Sequence, residues 1–132
     1  MTVSIIIPTY NGANKICNIL QSLENQSTAP NEIIVVVDGS TDNTMDVLSN
    51  TIFNLPQLKI IEQENRGRAA VRNRGASIAT SEVLIFLDDD MIAHSNLIEE
   101  HITFHKTYLA SICVGVLIPN KSIANTDYGR YR

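Results

Sequence analysis

The chain has 132 residues, 44% of them hydrophobic and 18% charged, with a formal net charge of -4. That length suits one domain, residues 1-132, with a core of ordinary size, and the acidic balance argues against a nucleic-acid binder, whose affinity comes from a dominant basic surface. Cys17 and Cys113 have no CxxC or Cys/His spacing, which argues against a zinc site or disulfide framework and reads as two small buried hydrophobes in a reducing compartment.

The N-terminal stretch "MTVSIIIPTYN" has neither a basic leader region nor a small-residue cleavage site, and its apolar part is too short to span a bilayer. A cytoplasmic location is expected, and the two glycosylation sequons, at Asn25 and Asn120, read as chance matches. "VSIIIP" reads as the first strand. The first helix is expected over Asn14 to Gln26, where Ile16, Ile19, Leu20 and Leu23 form an i, i+3, i+4, i+7 stripe. Lys15, Asn18 and Glu24 make its polar face. "EIIVVV" is the second strand, and the helix after "DGSTDNT" is expected to be capped by Ser40, Thr41 or Asp42, with Met45, Leu48 and Ile52 inward. "LKIIEQ" is the third strand. A third helix is expected from Arg68 to Ala79, with Ala69, Ala70, Ala76 and Ala79 as small residues that let it lie close on a sheet. "EVLIFL" follows as a strand, then a fourth helix from about Ser95 to Tyr108 with Leu97, Ile98, Ile102 and Leu109 on its apolar side. "ICVGVLIP" reads as a fifth strand.

Strands apolar on both faces and joined by helices imply a parallel sheet covered on both sides, so the fold class is α/β. In such sheets ligands bind beyond the carboxyl ends of the strands. The loops there are "PTYNG", "DGSTDNT", "ENRGR" and "DDDM". Asp38 and the run Asp88, Asp89, Asp90 both end apolar strands and should share one cleft. Two carboxylates about 4 Å apart repel by roughly 4 kcal/mol at an effective dielectric near 20, so a partly buried cluster should hold a cation or shift its pKa values.

Between them "NRGRAAVRNRG" places Arg66, Arg68, Arg72 and Arg74 within an otherwise acidic protein. A divalent cation on carboxylates, beside arginines and helix-start amides, makes a receptor for a nucleotide diphosphate, and hard oxygen ligands suit Mg2+ or Mn2+. The plainer alternative is a solvated arginine face paired with Glu62 and Glu64, and aspartates that cap the next helix. No GxxxxGK[ST], no GxGxxG after a strand and no GxSxG occurs, which argues against P-loop, ordinary dinucleotide and α/β-hydrolase sites.

Together, "VSIIIPTYN", "IIVVVDGSTDNT", "NRGRAAVRNRGASIA" and "VLIFLDDDM", in this order and spacing, resemble the inverting family 2 glycosyltransferases over Val3 to about Leu97. One such motif is weak, while four in register are specific. The resemblance implies a GT-A fold, incomplete at its C-terminus, a nucleotide-diphosphate sugar as donor, a UDP-sugar above all, and Mn2+ or Mg2+ as cofactor. It implies metal-assisted transfer of the sugar to an acceptor hydroxyl with inversion. Pro8 and Tyr10 match the loop along the donor base. Asp38 matches the aspartate that accepts a hydrogen bond from the base. Gly67, Arg72 and Asn73 match the segment flanking the nucleotide, with Val71 where alanine is usual. Asp88 and Asp90 match the ends of a DxD motif, Asp90 as metal ligand and Asp88 near ribose or metal, and Asp89 takes the variable middle, within the donor site.

Two departures stand out. Val37 precedes Asp38 where many relatives have a second aspartate, removing one possible donor contact. The chain also stops before the acceptor half and its carboxylate base, so no catalytic base is assigned: Glu99, Glu100 and Asp127 have no matching context, and Glu99 and Glu100 are expected to face solvent. The implied acceptor is a glycan or a lipid-linked molecule, which allows a peripheral site at the inner face of the cell membrane. An exposed sheet edge would favour a homo-oligomer.

A nucleotide-sugar-binding module without turnover is the alternative function. A DxD phosphatase would need its nucleophile after the first strand, which ends in "PTYN", and a nucleotidyltransferase needs a basic glycine-rich loop of which "PTYNGANK" is a poor version. His101 and His105 share a helix face without a third ligand at matching spacing, so a packing or surface role is expected. The tail "TDYGRYR" reads equally as a free end or the start of an acceptor loop.

Overall fold

Four strands, β1 (Val3–Thr9), β2 (Glu32–Asp38), β3 (Leu58–Gln63) and β4 (Val83–Phe86), run parallel in the order β3-β2-β1-β4. The computed structural model describes residues 1–118. The sequon at Asn120, Asp127 and the tail "TDYGRYR" lie outside the described residues.

β1 and β2 are buried along almost their whole length because helices cover both faces of the sheet. Val3, Ile5 and Ile7 of β1 and Ile33, Val35 and Val37 of β2 pack with α1 (Ile16–Glu24), α2 (Thr44–Asn50) and α4 (Leu97–Thr107). Ile34 and Val36 point the other way, onto Val71 of α3 (Arg68–Ile78). The side-chain period of two thus divides one apolar strand between two cores. Each fully buried Ile or Leu stabilises the fold by roughly 1.5–3 kcal/mol. In the registers Ser4 to Glu32 and Val3 to Val83, the carboxyl ends of β1, β2 and β4 reach one edge.

The strands of the first 90 residues stand where the apolar runs place them. Four details differ from expectation. α1 begins at Ile16 rather than Asn14, since Gly12 to Lys15 form a tighter turn in which both the Lys15 and Ile16 amides donate to the Gly12 carbonyl. α2 ends at Asn50, Thr51 is extended, and Ile52 is 97% exposed instead of inward. Asp42 does act at its start, accepting the Thr44 amide at 3.0 Å. The close approach of α3 rests on Gly75 rather than the alanines, of which Ala69 is exposed: a Cβ on Gly75 would stand 2.4 Å from Cγ2 of Ile6.

The fourth difference concerns the C-terminal side. Tyr108 leaves the helical conformation, so Leu109 is 81% exposed rather than on the apolar side of α4. The expected fifth strand is not formed over residues 112–118, where Ile112, Val114, Val116 and Ile118 are exposed. An apolar run becomes a strand only when a neighbour takes its backbone N–H and C=O groups, and among the described residues none does. β4 pairs only with β1 there, and Leu84 and Phe86 are partly exposed. Cys17 and Cys113 are free thiols and half-buried rather than buried, with Cys17 packed on the main core.

Candidate functional site

The loops after β1, β2, β3 and β4 enclose a cavity of about 460 Å³. Pro8 and Tyr10 line it from β1, Asp38 from β2, Gly67 and Arg72 from the start of α3, and Asp88, Asp89 and Asp90 from the end of β4. Asn73 is exposed and does not line it, because it points away from the α3 face that carries Arg68, Val71 and Arg72. Seven of the eight expected donor-site residues, all but Asn73, therefore line one cavity, with Asp90 beside them.

The first wall is held by Asn11. Its backbone has φ of 51°, a left-handed conformation asparagine tolerates better than most residues. Its side-chain oxygen accepts the Thr41 amide at 2.8 Å and the Asp42 amide at 3.2 Å, while its own amide donates to the Ser40 hydroxyl at 3.0 Å. The "PTYN" and "DGSTDNT" loops are thereby joined. Tyr10, 48% exposed, offers a flat ring at the mouth.

Asp38 is 4% exposed at the end of β2. Its Oδ1 accepts hydrogen bonds from the Gln63 side chain at 2.8 Å and the Arg66 amide at 2.9 Å, and Oδ2 accepts the Gly67 amide at 3.0 Å. Burial pushes its pKa up, but the bonds from Gln63, Arg66 and Gly67 outweigh that and hold it below the ordinary aspartate value. A carboxylate has about four acceptor positions, of which three are taken here, and Asp38 lines the cavity. Asp38 thus shapes the loop from Arg66 to Gly67 from which α3 starts.

The Asp triplet continues the alternation of β4. Asp88 and Asp90 are exposed while Asp89 is buried, and each has a different environment. Oδ1 of Asp88 meets Nη2 of Arg72 at 2.5 Å. Asp89 turns toward β1 and α1, where Oδ2 accepts the Thr9 hydroxyl at 2.7 Å and Oδ1 lies 3.4 Å from Nζ of Lys15. Asp90 has no hydrogen-bond or ion-pair partner among the described residues. Three adjacent charges are tolerated because two face separate cations and the third faces the open cleft.

Thr9, Lys15 and Asn65 also line the cavity and were not singled out from sequence as site residues. A helix starting at Asn14 puts Lys15 on its polar face, whereas the observed start at Ile16 puts Lys15 in the turn before it, beside the cleft. Thr9 sits inside the "PTYN" motif, but its contact with Asp89 spans 80 residues of sequence. No local signal carries that.

Elsewhere, His101 and His105 stack along α4 with ring centroids 6.1 Å apart. Burial and the neighbouring His105 push the His101 pKa down, and its Nδ1 is buried without a partner among the described residues. No group of three or more His, Cys, Asp or Glu side chains converges into a metal cage among those residues. Glu99 and Glu100 are exposed, as expected.

A family model described as "Glycosyl transferase family 2" matches residues 4–131. The uncharacterized glycosyltransferase YibD of Escherichia coli K12 is 34% identical over 101 residues, 76% of this chain and 29% of that protein. The putative glycosyltransferase EpsH of Bacillus subtilis is 40% identical over 88 residues, 67% of this chain and 26% of that protein. A crystal structure of S. aureus TarS in complex with UDP-GlcNAc superposes with a TM-score of 0.72 at 30% identity, covering 82% of this chain and 32% of that one. The chain thus spans about a third or less of the length of these proteins.

Proposed function

The chain belongs to glycosyl transferase family 2 and has the GT-A type of parallel α/β sheet, and from that premise we propose that its cleft binds a nucleotide-diphosphate sugar, with UDP as nucleotide, for metal-assisted transfer to an acceptor hydroxyl with inversion. The single observation that carries this is the convergence of Asp38, Arg72, Asp88 and Asp90 on one cavity beyond the carboxyl ends of the strands. UDP is favoured by the likeness to TarS, which has been crystallised with UDP-GlcNAc.

In this reading the exposed ring of Tyr10 stacks on the base, and the remaining acceptor position of Asp38 takes a ring N–H. Arg68 and Arg72 offer planar, permanently charged donors to the diphosphate. Asp90, whose carboxylate faces the cleft without a partner among the described residues, and the adjacent Asp88 fit Mn2+ or Mg2+, which bind oxygen and complete their shell with phosphate and water. When bound, the cation supplies Lewis-acid stabilisation of the charge on the departing diphosphate. Arg72 reaches Asp88 in this structure, so part of its charge is already placed where negative charge gathers.

Inversion needs a carboxylate within hydrogen-bond reach of the acceptor hydroxyl. Among the described residues, the carboxylates lining the cavity are Asp38, Asp88, Asp89 and Asp90, and each has a role in holding the loops or the donor. That observation favours a second reading, in which this chain binds the donor without turning it over. Calorimetric titration with UDP, with and without Mn2+, beside an assay for nucleoside diphosphate released from UDP-GlcNAc, separates the two. Metal-dependent binding with release supports the first reading, and binding without release the second. Absence of any nucleotide binding would contradict both.

A further inference from the structure

We propose that Lys15 is a binding residue for the donor's diphosphate, held in place by Asp89; this rests on the donor-cleft reading above. Lys15 occupies the N-cap of α1 and makes no side-chain cap hydrogen bond. That position favours Ser, Thr, Asp or Asn, and the positive end of the helix dipole disfavours a cation. A lysine there lowers the stability of the helix. The contact that offsets this break of a local rule, the ion pair with Asp89, lies at the cleft, where such breaks mark functional positions.

The surroundings of Lys15 fit that role. Its side chain is 44% exposed, lines the cavity beside the Asp triplet, and has Nζ 3.4 Å from Oδ1 of Asp89. A charge-assisted hydrogen bond is shorter, about 2.7–2.9 Å, and an ammonium has three donors. Lys15 is therefore tethered without being saturated. Asp89 is fixed from its other side, being 8% exposed with Oδ2 on the Thr9 hydroxyl at 2.7 Å. Gly12 leaves room for this arrangement: a Cβ there would lie 2.1 Å from Oγ1 of Thr9 and 2.7 Å from Oδ2 of Asp89. An anion entering the cleft meets an ammonium on the α1 side as it meets Arg68 and Arg72 on the α3 side.

The test compares the 132-residue chain with its Lys15→Ser variant in Mn2+, measuring affinity for UDP and for uridine together with urea unfolding. Lys15→Ser is expected to bind UDP about tenfold more weakly, to bind uridine unchanged, and to unfold at equal or higher urea, because serine caps α1. Lys15→Arg keeps most of the UDP affinity. Asp89→Asn lowers it by less than Lys15→Ser, and the double variant is little worse than Lys15→Ser alone. Unchanged UDP affinity in Lys15→Ser, or a loss for uridine as large as for UDP, would make Lys15 a counter-charge for Asp89 only and overturn the assignment. A parent chain that binds no UDP would overturn the donor-cleft reading itself, and this assignment with it.

Discussion

β2 carries a buried carboxylate at each end, and the two have different surroundings. Glu32 at its start and Asp38 at its end are both 4% exposed, and both have lowered pKa values. Glu32 accepts from the Ser4 hydroxyl, the Thr80 amide at 2.6 Å and the Thr80 hydroxyl at 3.1 Å on one oxygen, and from Lys59 at 2.8 Å on the other. It ties β1, β2, β3 and the turn before β4 together and lines no cavity found among the described residues. Asp38 holds the end of β3 and the loop after it, has three of about four acceptor positions taken, and lines the cleft. Burial and a shifted pKa are common to both ends, so neither property marks the site. What marks it is unspent bonding capacity facing open space.

That contrast can be broken by substitutions at each edge of the sheet. The largest effect is expected from Asp90→Asn, which should weaken Mn2+-dependent UDP binding about a hundredfold, or roughly 2.7 kcal/mol, while leaving thermal unfolding nearly unchanged. A comparable loss of stability without loss of binding would place Asp90 with Glu32 rather than with the cleft.

Glu32→Gln should do the reverse. Removing the charge that faces Lys59 and disturbing the bonds to Ser4 and Thr80 is expected to cost about 2 kcal/mol in urea unfolding, with UDP affinity within about twofold of the parent. The same residue sets a pH dependence. Burial pushes its pKa up, but the bonds to Lys59, Ser4 and Thr80 prevail and lower it from 4.5 to about 2. A lowered pKa means that the stability from Glu32 is fully present above pH 4.5 and is lost as pH falls toward 2. Urea midpoints measured across that window should fall less steeply in Glu32→Gln than in the parent.

Asp38→Asn comes next in size. Asparagine keeps one acceptor oxygen, so its NH2 group must face either the Gly67 amide or the Gln63 and Arg66 donors, and UDP affinity should fall about tenfold, or roughly 1.4 kcal/mol. Hydrogen exchange at the Arg66 and Gly67 amides should accelerate, and a loss of binding without that acceleration would mean that Asp38 acts on the base alone. The smallest effect is the stability of Lys15→Ser, where better capping should add about 0.5–1 kcal/mol.

Much of this arrangement is legible in sequence where the physics is local. The runs "SIII" and "IIVVV" are apolar on both faces, which requires a covered parallel sheet, and their carboxyl ends point to the cleft before any coordinates are known. The Asp triplet is conspicuous for the same reason, since adjacent charges after a buried strand need compensation. The illegible parts depend on contacts distant in the chain. The parity of the β4 alternation turns Asp89 inward, but only Thr9 and Lys15 make that turn favourable. Gly75 is one small residue among several on α3 until Ile6 is seen beneath it. Whether α1 starts at Asn14 or at Ile16 decides whether Lys15 reads as a solvent-face residue or as part of the cleft, and local sequence does not fix those two residues. The run from Ile112 to Ile118 has strand composition, yet a strand also needs a partner, and composition does not supply one.

The most direct measurement is a crystal structure of the 132-residue chain grown with UDP and Mn2+. The expected result is a cation touching the Asp90 carboxylate and the diphosphate together, with the uracil between Tyr10 and Asp38. A nucleotide bound away from this cleft, or a cation that bypasses Asp90, would contradict it.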